Sequence, residues 1–430
     1  VAEIRPFRGL HYAERDVSAF VCPPFDVIST DEQRRLYENS AYNAVRLECG
    51  ETRPDDSTSD NRYTRAAATL RDWLEEGILV QDDKPSFYVD DQRFEHDGGV
   101  LFRRSLFARV RLHDWDEGPV RAHEYTLNRP KEDRLQLLRA ARLNVSPILS
   151  LYRDDDRRLR EIADSACAQS SFLARADIGT EQHDMCRLER GTFLESIQRL
   201  ASAKTFYVID GHHRYETALA YRDELRSQAR RWTGEEPENF VLMALIACDD
   251  PGLIVLPTHR LLRDVVLPDD FMAQLERFFS VENVSASAWP SMQQQIAKAA
   301  KEGPAIGVAM PGRRLILRVR NPYAVADTMP PESPVSWRSL DAAVLEAVIL
   351  HGILGMGQQE ASANGSLEFT HEGSEAVRLV DSSEYDAAFL LSPANVDTVL
   401  SMADADERMP QKSTYFYPKV PAGLIMNLLA

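Results

Sequence analysis

The chain has 430 residues, 44% of them apolar and 27% charged, an ordinary globular composition that excludes a wholly disordered protein. Lys and Arg number 50 against 67 Asp and Glu, for a net charge of −17. That balance repels phosphate backbones at long range and argues against non-specific nucleic-acid binding.

In chain order, the first hundred residues read as mixed α/β. Residues 19–27 are extended and apolar, but Pro23 and Pro24 exclude a central strand and predict a rigid loop. A capped helix opens at Ser29 and Thr30 and runs to Tyr37. Residues 61–76 have apolar positions at helical spacing and stop at Gly77. Strands are predicted at 86–90 and 101–112, with Asp97-Gly98-Gly99 as the hairpin turn. Helices follow at 129–143, 154–167 and 189–203, and a strand at 145–152. Residues 205–210 form a short apolar strand, Gly211 a turn, and 212–225 a helix. Strands are predicted at 239–248, 253–257, 305–310 and 313–319, and helices at 271–284 and 289–300. A helix with a wide apolar face covers 340–354, followed by a strand at 387–391 and a helix at 396–403.

The five cysteines (22, 49, 167, 186 and 248) are scattered, odd in number and without a C-x-x-C pair. A disulfide framework is therefore not expected, and a reducing cytoplasm is. No apolar run reaches the ~18 residues of a membrane span. The opening residues lack a basic stretch followed by an apolar one, so no signal peptide is expected.

Three stretches carry chemistry. In residues 208–221 a buried strand ends at Asp210, turns at Gly211 and enters a helix. The first N–H groups of a helix have no internal acceptor and sit at its positive end, which makes an anion site. His212, His213 and Arg214 stand in that first turn, and Asp210 could hold Mg²⁺ or a hydroxyl. The alternative is Asp210 as a plain N-cap. In residues 122–134, Glu124 follows His123 and could act as a general base on an alcohol. Lys131 and Arg134 lie near a helix start, where cations are unfavourable unless an anion balances them. The alternative is a solvated charged turn. In residues 407–421, Lys412, Ser413 and Thr414 offer an ammonium and two hydroxyls, without the glycines of a P-loop. The alternative is a tail packed by Tyr415, Phe416 and Tyr417. Two weaker pieces place Asp26 on a rigid loop and His259 and Arg260 just after a buried strand.

Together PPFDVIS, HEYT with KEDR, DGHHRYETAL, LPTHRLL and MPQKSTYFYPK resemble the domain of unknown function 1015 family, in that family's order and across nearly the whole chain. The Asp210–Arg214 box also resembles the nucleotide-binding box of the ParB/sulfiredoxin superfamily, and within it the free serine kinases, which make O-phosphoserine from L-serine. Those enzymes pair a His-Glu with an Asp-Gly-His-His-Arg box and a Pro-Lys-Thr-Thr segment. Here Gln411 intervenes between Pro410 and Lys412. The resemblance implies an α/β fold: a ParB/sulfiredoxin-like core at 113–330, an added N-terminal α/β region at 1–112, and a C-terminal segment at 331–430 returning to the site. It implies Glu124 as the base, with Asp210 and His213 activating and orienting the reacting groups. Gly211, His212, Arg214, Lys131, Arg134, Lys412, Ser413 and Thr414 would hold nucleotide and phosphates. ATP or ADP would be the donor, with Mg²⁺ on Asp210 or on the nucleotide. The expected partner is a small alcohol such as L-serine, with no nucleic acid and no membrane. Two other readings stand beside this one: a nucleotide-binding regulatory protein of the ParB type without kinase activity, and a metal-dependent hydrolase using His212, His213 and His259.

Overall fold

The computed structural model describes residues 1–115, 117–125, 128–284 and 289–429. Thr126 of the HEYT stretch lies outside them. The chain forms a mixed α/β fold of two compact units. The first comprises Val1–Ala122, Thr126–Leu253 and Pro418–Ala430, and the second His123–Tyr125 and Ile254–Tyr417.

The first unit is built on a nine-stranded mixed sheet. Its order is Val120–Ala122, Phe206–Asp210, Ile148–Tyr152, Phe240–Ala247, Gly99–Arg111, Phe87–His96, Glu181–Leu188 and Ser171–Ile178, with Ile4–Arg5 also pairing the long Gly99–Arg111 strand. Phe240–Ala247 is buried at every position, as its unbroken apolar run requires of a strand covered on both faces. The predicted hairpin is present: His96 pairs with Gly99 across Asp97 and Gly98, both at positive φ (49° and 75°), the backbone a two-residue turn needs to match strand twist. Three strands from residues 1–112 hydrogen-bond within this same sheet. Phe206, Val208, Ile148, Met243 and Leu245 meet in the core beneath the strand that ends at Asp210.

The second unit holds a six-stranded, wholly antiparallel sheet in the order Phe279–Val284, Arg313–Val319, Ala305–Met310, Ala387–Leu390, His259–Leu262 and Leu367–Thr370. Helices Trp289–Ala299 and Gly373–Asp381 bury Ile296, Val377 and Val380 against it.

Several predicted elements differ from the observed ones. The helix expected over 271–284 ends at Phe278, and Phe279–Val284 is an edge strand paired with Arg313–Val319. Short apolar-polar alternation suits either state, and a waiting strand edge decides it. Ser171–Ile178 and Glu181–Leu188 form a hairpin that the sequence pattern did not reveal. The 340–354 helix exists but widens after Val344 to π-type spacing over Leu345–Ile353. Cys167 and Cys186 are joined by a disulfide, although no disulfide framework was expected, and Cys22, Cys49 and Cys248 are free. The end of helix Arg158–Cys167 lies beside the strand Glu181–Leu188, bringing their Cα atoms to 6.1 Å, a proximity that linear spacing does not display. No described helix is long and apolar enough to cross a membrane.

Candidate functional site

In the first unit, Phe206–Asp210 is buried until Asp210, where the chain turns at Gly211 (φ 87°, ψ 26°) into the helix His212–Gln228. Glycine takes this left-handed backbone without steric cost. Gly211, not Asp210, is the N-cap, and it carries no side chain to cap the first turn. Asp210 is instead the centre of an ion cluster. Its Oδ2 accepts from Arg214 Nη2 at 2.8 Å, and Lys419 Nζ donates to its Oδ1. The same ammonium stands 3.8 Å from Asp26 Oδ2. Burial by itself raises the Asp210 carboxyl, but Lys419 and Arg214 outweigh it and hold the pKa at about 2. Arg214 also donates to the Pro147 carbonyl. A Cβ at Gly211 would sit 2.9 Å from Arg214 Nε, so the absence of a side chain is what lets the guanidinium fold back over the turn. His212 and His213 stand in the first turn, partly buried, and Trp115 stacks on Tyr215 one residue beyond Arg214, at 4.3 Å.

Lys131 and Arg134 lie in this unit on helix Asn128–Ala141, which packs along His212–Gln228. Lys131 is ion-paired with Glu216. Arg134 is buried, donates to the Glu48 carbonyl at 2.6 Å, pairs with Asp133 and covers the Phe25 ring at 4.1 Å. Arg134 and Arg214 line one open recess of about 440 Å³ together with Glu48, Ser146 and Thr217.

In the second unit, the two motifs flanking this box in sequence come together. Glu124 forms a parallel bridge with Met409, and Met409 N donates to the His123 carbonyl at 2.7 Å. Lys412 N donates to Glu124 Oε1 at 2.7 Å, across 288 positions of sequence. His123 Nε2 and Thr414 Oγ1 are 2.8 Å apart, and Ser413 Oγ donates to the Pro410 carbonyl at 2.6 Å. Lys412 takes a left-handed backbone (φ 59°), which aims its amide at the carboxylate while its side chain stays exposed. His123 is buried, whereas 16% of the Glu124 side chain is open. The carboxylate is thus oriented by an N–H and still reachable, the condition for a base that must meet a hydroxyl.

His259 and Arg260 follow the short, half-buried strand Ile254–Leu256, as expected, but they are not loop residues. They lie in a strand themselves, inside the second unit's sheet. His259 Nδ1 accepts from Leu391 N at 3.1 Å, and burial pushes its pKa down to about 3. A neutral ring already used as an acceptor suits packing better than metal binding. Among the described residues no group of three or more His, Cys, Asp or Glu is arranged to hold a metal ion, which removes the basis of the hydrolase reading. Lys419 escaped sequence reasoning, although it closes the matched MPQKSTYFYPK stretch. Glu48 lies outside every quoted motif, and Glu216, though inside DGHHRYETAL, was not among the candidate site residues.

The fold and these clusters define a two-unit α/β protein with a charged strand-turn-helix box in the first unit and an oriented carboxylate in the second. The profile described as "Protein of unknown function (DUF1015)" matches residues 4–343, and the chain belongs to that family. No curated protein matches its sequence. Solved structures with some similarity include a free serine kinase in complex with AMP, 12% identical, with a TM-score of 0.37 over 74% of this chain and 92% of that one. A conserved hypothetical protein from Pyrococcus furiosus is 13% identical, with a TM-score of 0.37 over 75% of this chain and 95% of its own. SbnI with C-terminal truncation from Staphylococcus aureus is 12% identical, with a TM-score of 0.37 over 75% of this chain and 87% of its own.

Proposed function

We propose that the protein is a kinase that moves a phosphoryl group from ATP or ADP to the hydroxyl of a small metabolite, with free L-serine the first candidate. The observation that carries this reading is the hydrogen bond from the Lys412 main-chain N–H to the Glu124 carboxylate at 2.7 Å, together with the His123–Thr414 hydrogen bond. Two short motifs 288 positions apart share one local structure, and the partly open polar group they orient is a carboxylate. In the proposed step the serine hydroxyl gives its proton to Glu124. Its oxygen then forms a bond to the terminal phosphorus as the bond to the nucleotide's bridging oxygen breaks, leaving O-phosphoserine and the shortened nucleotide. Phosphoryl transfer is chiefly positioning and charge stabilisation. The turn at Gly211, the start of helix His212–Gln228 and Arg214 are assigned to the phosphates, with Lys412 as a further cation.

Mg²⁺ fits this chain's own residues poorly. Asp210 already has an ammonium on one oxygen and a guanidinium on the other, and small hard cations need several free oxygens in octahedral array. No step is therefore routed through a protein-held metal, and Mg²⁺ enters the assay as the nucleotide's counter-ion. Lys131 and Arg134, already paired with Glu216 and Asp133, are assigned to holding the box in place.

The test is phosphorus NMR of the full chain with L-serine, Mg²⁺ and either ATP or ADP. A growing O-phosphoserine signal is expected with one donor. Glu124→Gln should keep nucleotide affinity, since its amide oxygen still accepts from Lys412 N, and lose turnover by about 10²–10⁴-fold. Nucleotide binding without transfer to any hydroxyl acceptor would instead support a regulatory nucleotide-binding protein.

A further inference from the structure

The second unit contains an open cavity of about 780 Å³, solvent-filled space included, whose lining does not include Glu124. It is walled by Leu340, Leu391 and Met409 and carries the polar side chains of Asp341, Ser392 and Ser413. Asp341 opens the helix Asp341–Val344, and its Oδ1 accepts from Ala305 N at 3.1 Å. Among the described residues no Lys, Arg or His forms an ion pair with this carboxylate. The hydroxyl of Ser392 is buried and has no hydrogen-bond partner. Ser413 donates its own proton to the Pro410 carbonyl, leaving its oxygen lone pairs as acceptors.

A buried carboxylate without a cation and a buried hydroxyl without a partner are each costly, and here both line one cavity. Asp341 is the one ionisable side chain among the residues that line it, so the missing group is a cationic donor. The absence of a three-ligand cluster turns the choice from a divalent metal to an organic cation. Asp341 already interacts with the main-chain N–H groups of Ala305 and Ser392, which disfavours the two-point fork of a guanidinium. An ammonium offers three donors from one compact centre, matching the Asp341, Ser392 and Ser413 oxygens.

We propose that this cavity binds a small primary ammonium compound, with its amino group on Asp341 and Ser392 and its short carbon chain against Leu340, Leu391 and Met409. This site is argued from the cavity alone and does not depend on the kinase reading.

The experiment is saturation-transfer NMR and calorimetry on the full chain without nucleotide, using ethanolamine and its neutral isostere ethylene glycol. Ethanolamine should bind at least about tenfold more tightly than the glycol, as expected where a charge pair forms out of water. Asp341→Asn keeps an oxygen for Ala305 N but removes the charge, and should erase that preference. Ser392→Ala tests the same cavity without touching the helix start, and should weaken ethanolamine several-fold while leaving the glycol unchanged. Equal affinity for the two probes, or an ethanolamine preference that survives Asp341→Asn, would overturn the assignment. So would the absence of any saturation transfer from either probe. Loss of ethanolamine binding leaves phosphorus NMR of serine phosphorylation unaffected as a separate measure, so the two ideas can fail independently.

Discussion

Asp210→Asn tests the electrostatic design of the strand-turn-helix box. In the folded protein burial opposes the Asp210 charge, but Lys419 and Arg214 hold its pKa at about 2, against 3.8 for the free group. A depressed carboxyl contributes stability above its unfolded pKa and loses it as pH falls through the folded one. The difference of roughly 1.8 units corresponds to about 2 kcal/mol at neutral pH, of which about half is gone by pH 3. The substitution also strands an ammonium and a guanidinium that are 13% and 11% exposed, raising the total cost at pH 7 to about 3–5 kcal/mol. Urea unfolding of wild type and variant, followed by tryptophan fluorescence at pH 7 and pH 3, measures the gap. It should be largest at pH 7 and shrink by about 1 kcal/mol at pH 3. A gap that is constant or grows on acidification would refute the assignment of Asp210 as the ionised hub of this cluster.

Gly211→Ala should destabilise by about 1–2 kcal/mol in thermal melts, because an L-residue resists φ 87° and the new Cβ would press on Arg214 Nε at 2.9 Å. It should also weaken nucleotide binding in a fluorescence titration by displacing that guanidinium, and unchanged affinity would detach Arg214 from the phosphates. Asp341 behaves oppositely to Asp210, since burial pushes its pKa up to about 6. Its charge therefore costs the fold nothing below pH 3.8 and an increasing amount through pH 6. Asp341→Asn should raise stability by up to about 3 kcal/mol at pH 8 and by nearly nothing at pH 4, read from melts at the two values. Arg260 is buried, with its pKa lowered by burial to about 10 and one guanidinium nitrogen lacking a partner. Arg260→Met should leave the melting temperature unchanged or raise it, and a loss of several degrees would show that the guanidinium supports the sheet.

The sequence by itself determined the elements that local chemistry dictates. Asn61 caps the helix Arg62–Glu75 with Tyr63 N and Thr64 N, and Ser29 caps Thr30–Asn39, because caps satisfy their donors within three residues. The Asp97-Gly98 turn, the buried run Phe240–Ala247 and the Asp210-Gly211 strand-to-helix turn were legible for the same reason. So were Glu124 and the Lys412–Thr414 segment, as unusual polar groupings in motif order. Tertiary structure decided whatever depends on partners distant in sequence. Residues 279–284 became a strand because the Arg313–Val319 edge was there to accept their hydrogen bonds. The Cys167–Cys186 bridge depends on a helix end packing beside a strand. Lys419 became the counter-ion of Asp210 only when residues 418–430 folded into the first unit, and Lys412 contributes to Glu124 through its main-chain amide, which carries no sequence signature. Burial turned three ordinary letters into unusual groups. Asp210 stays charged because two cations surround it, Asp341 is pushed toward neutrality because none does, and Arg260 is weakened because it sits in the sheet. Solvation and neighbouring charge set those properties, and both are fixed by packing rather than by residue type.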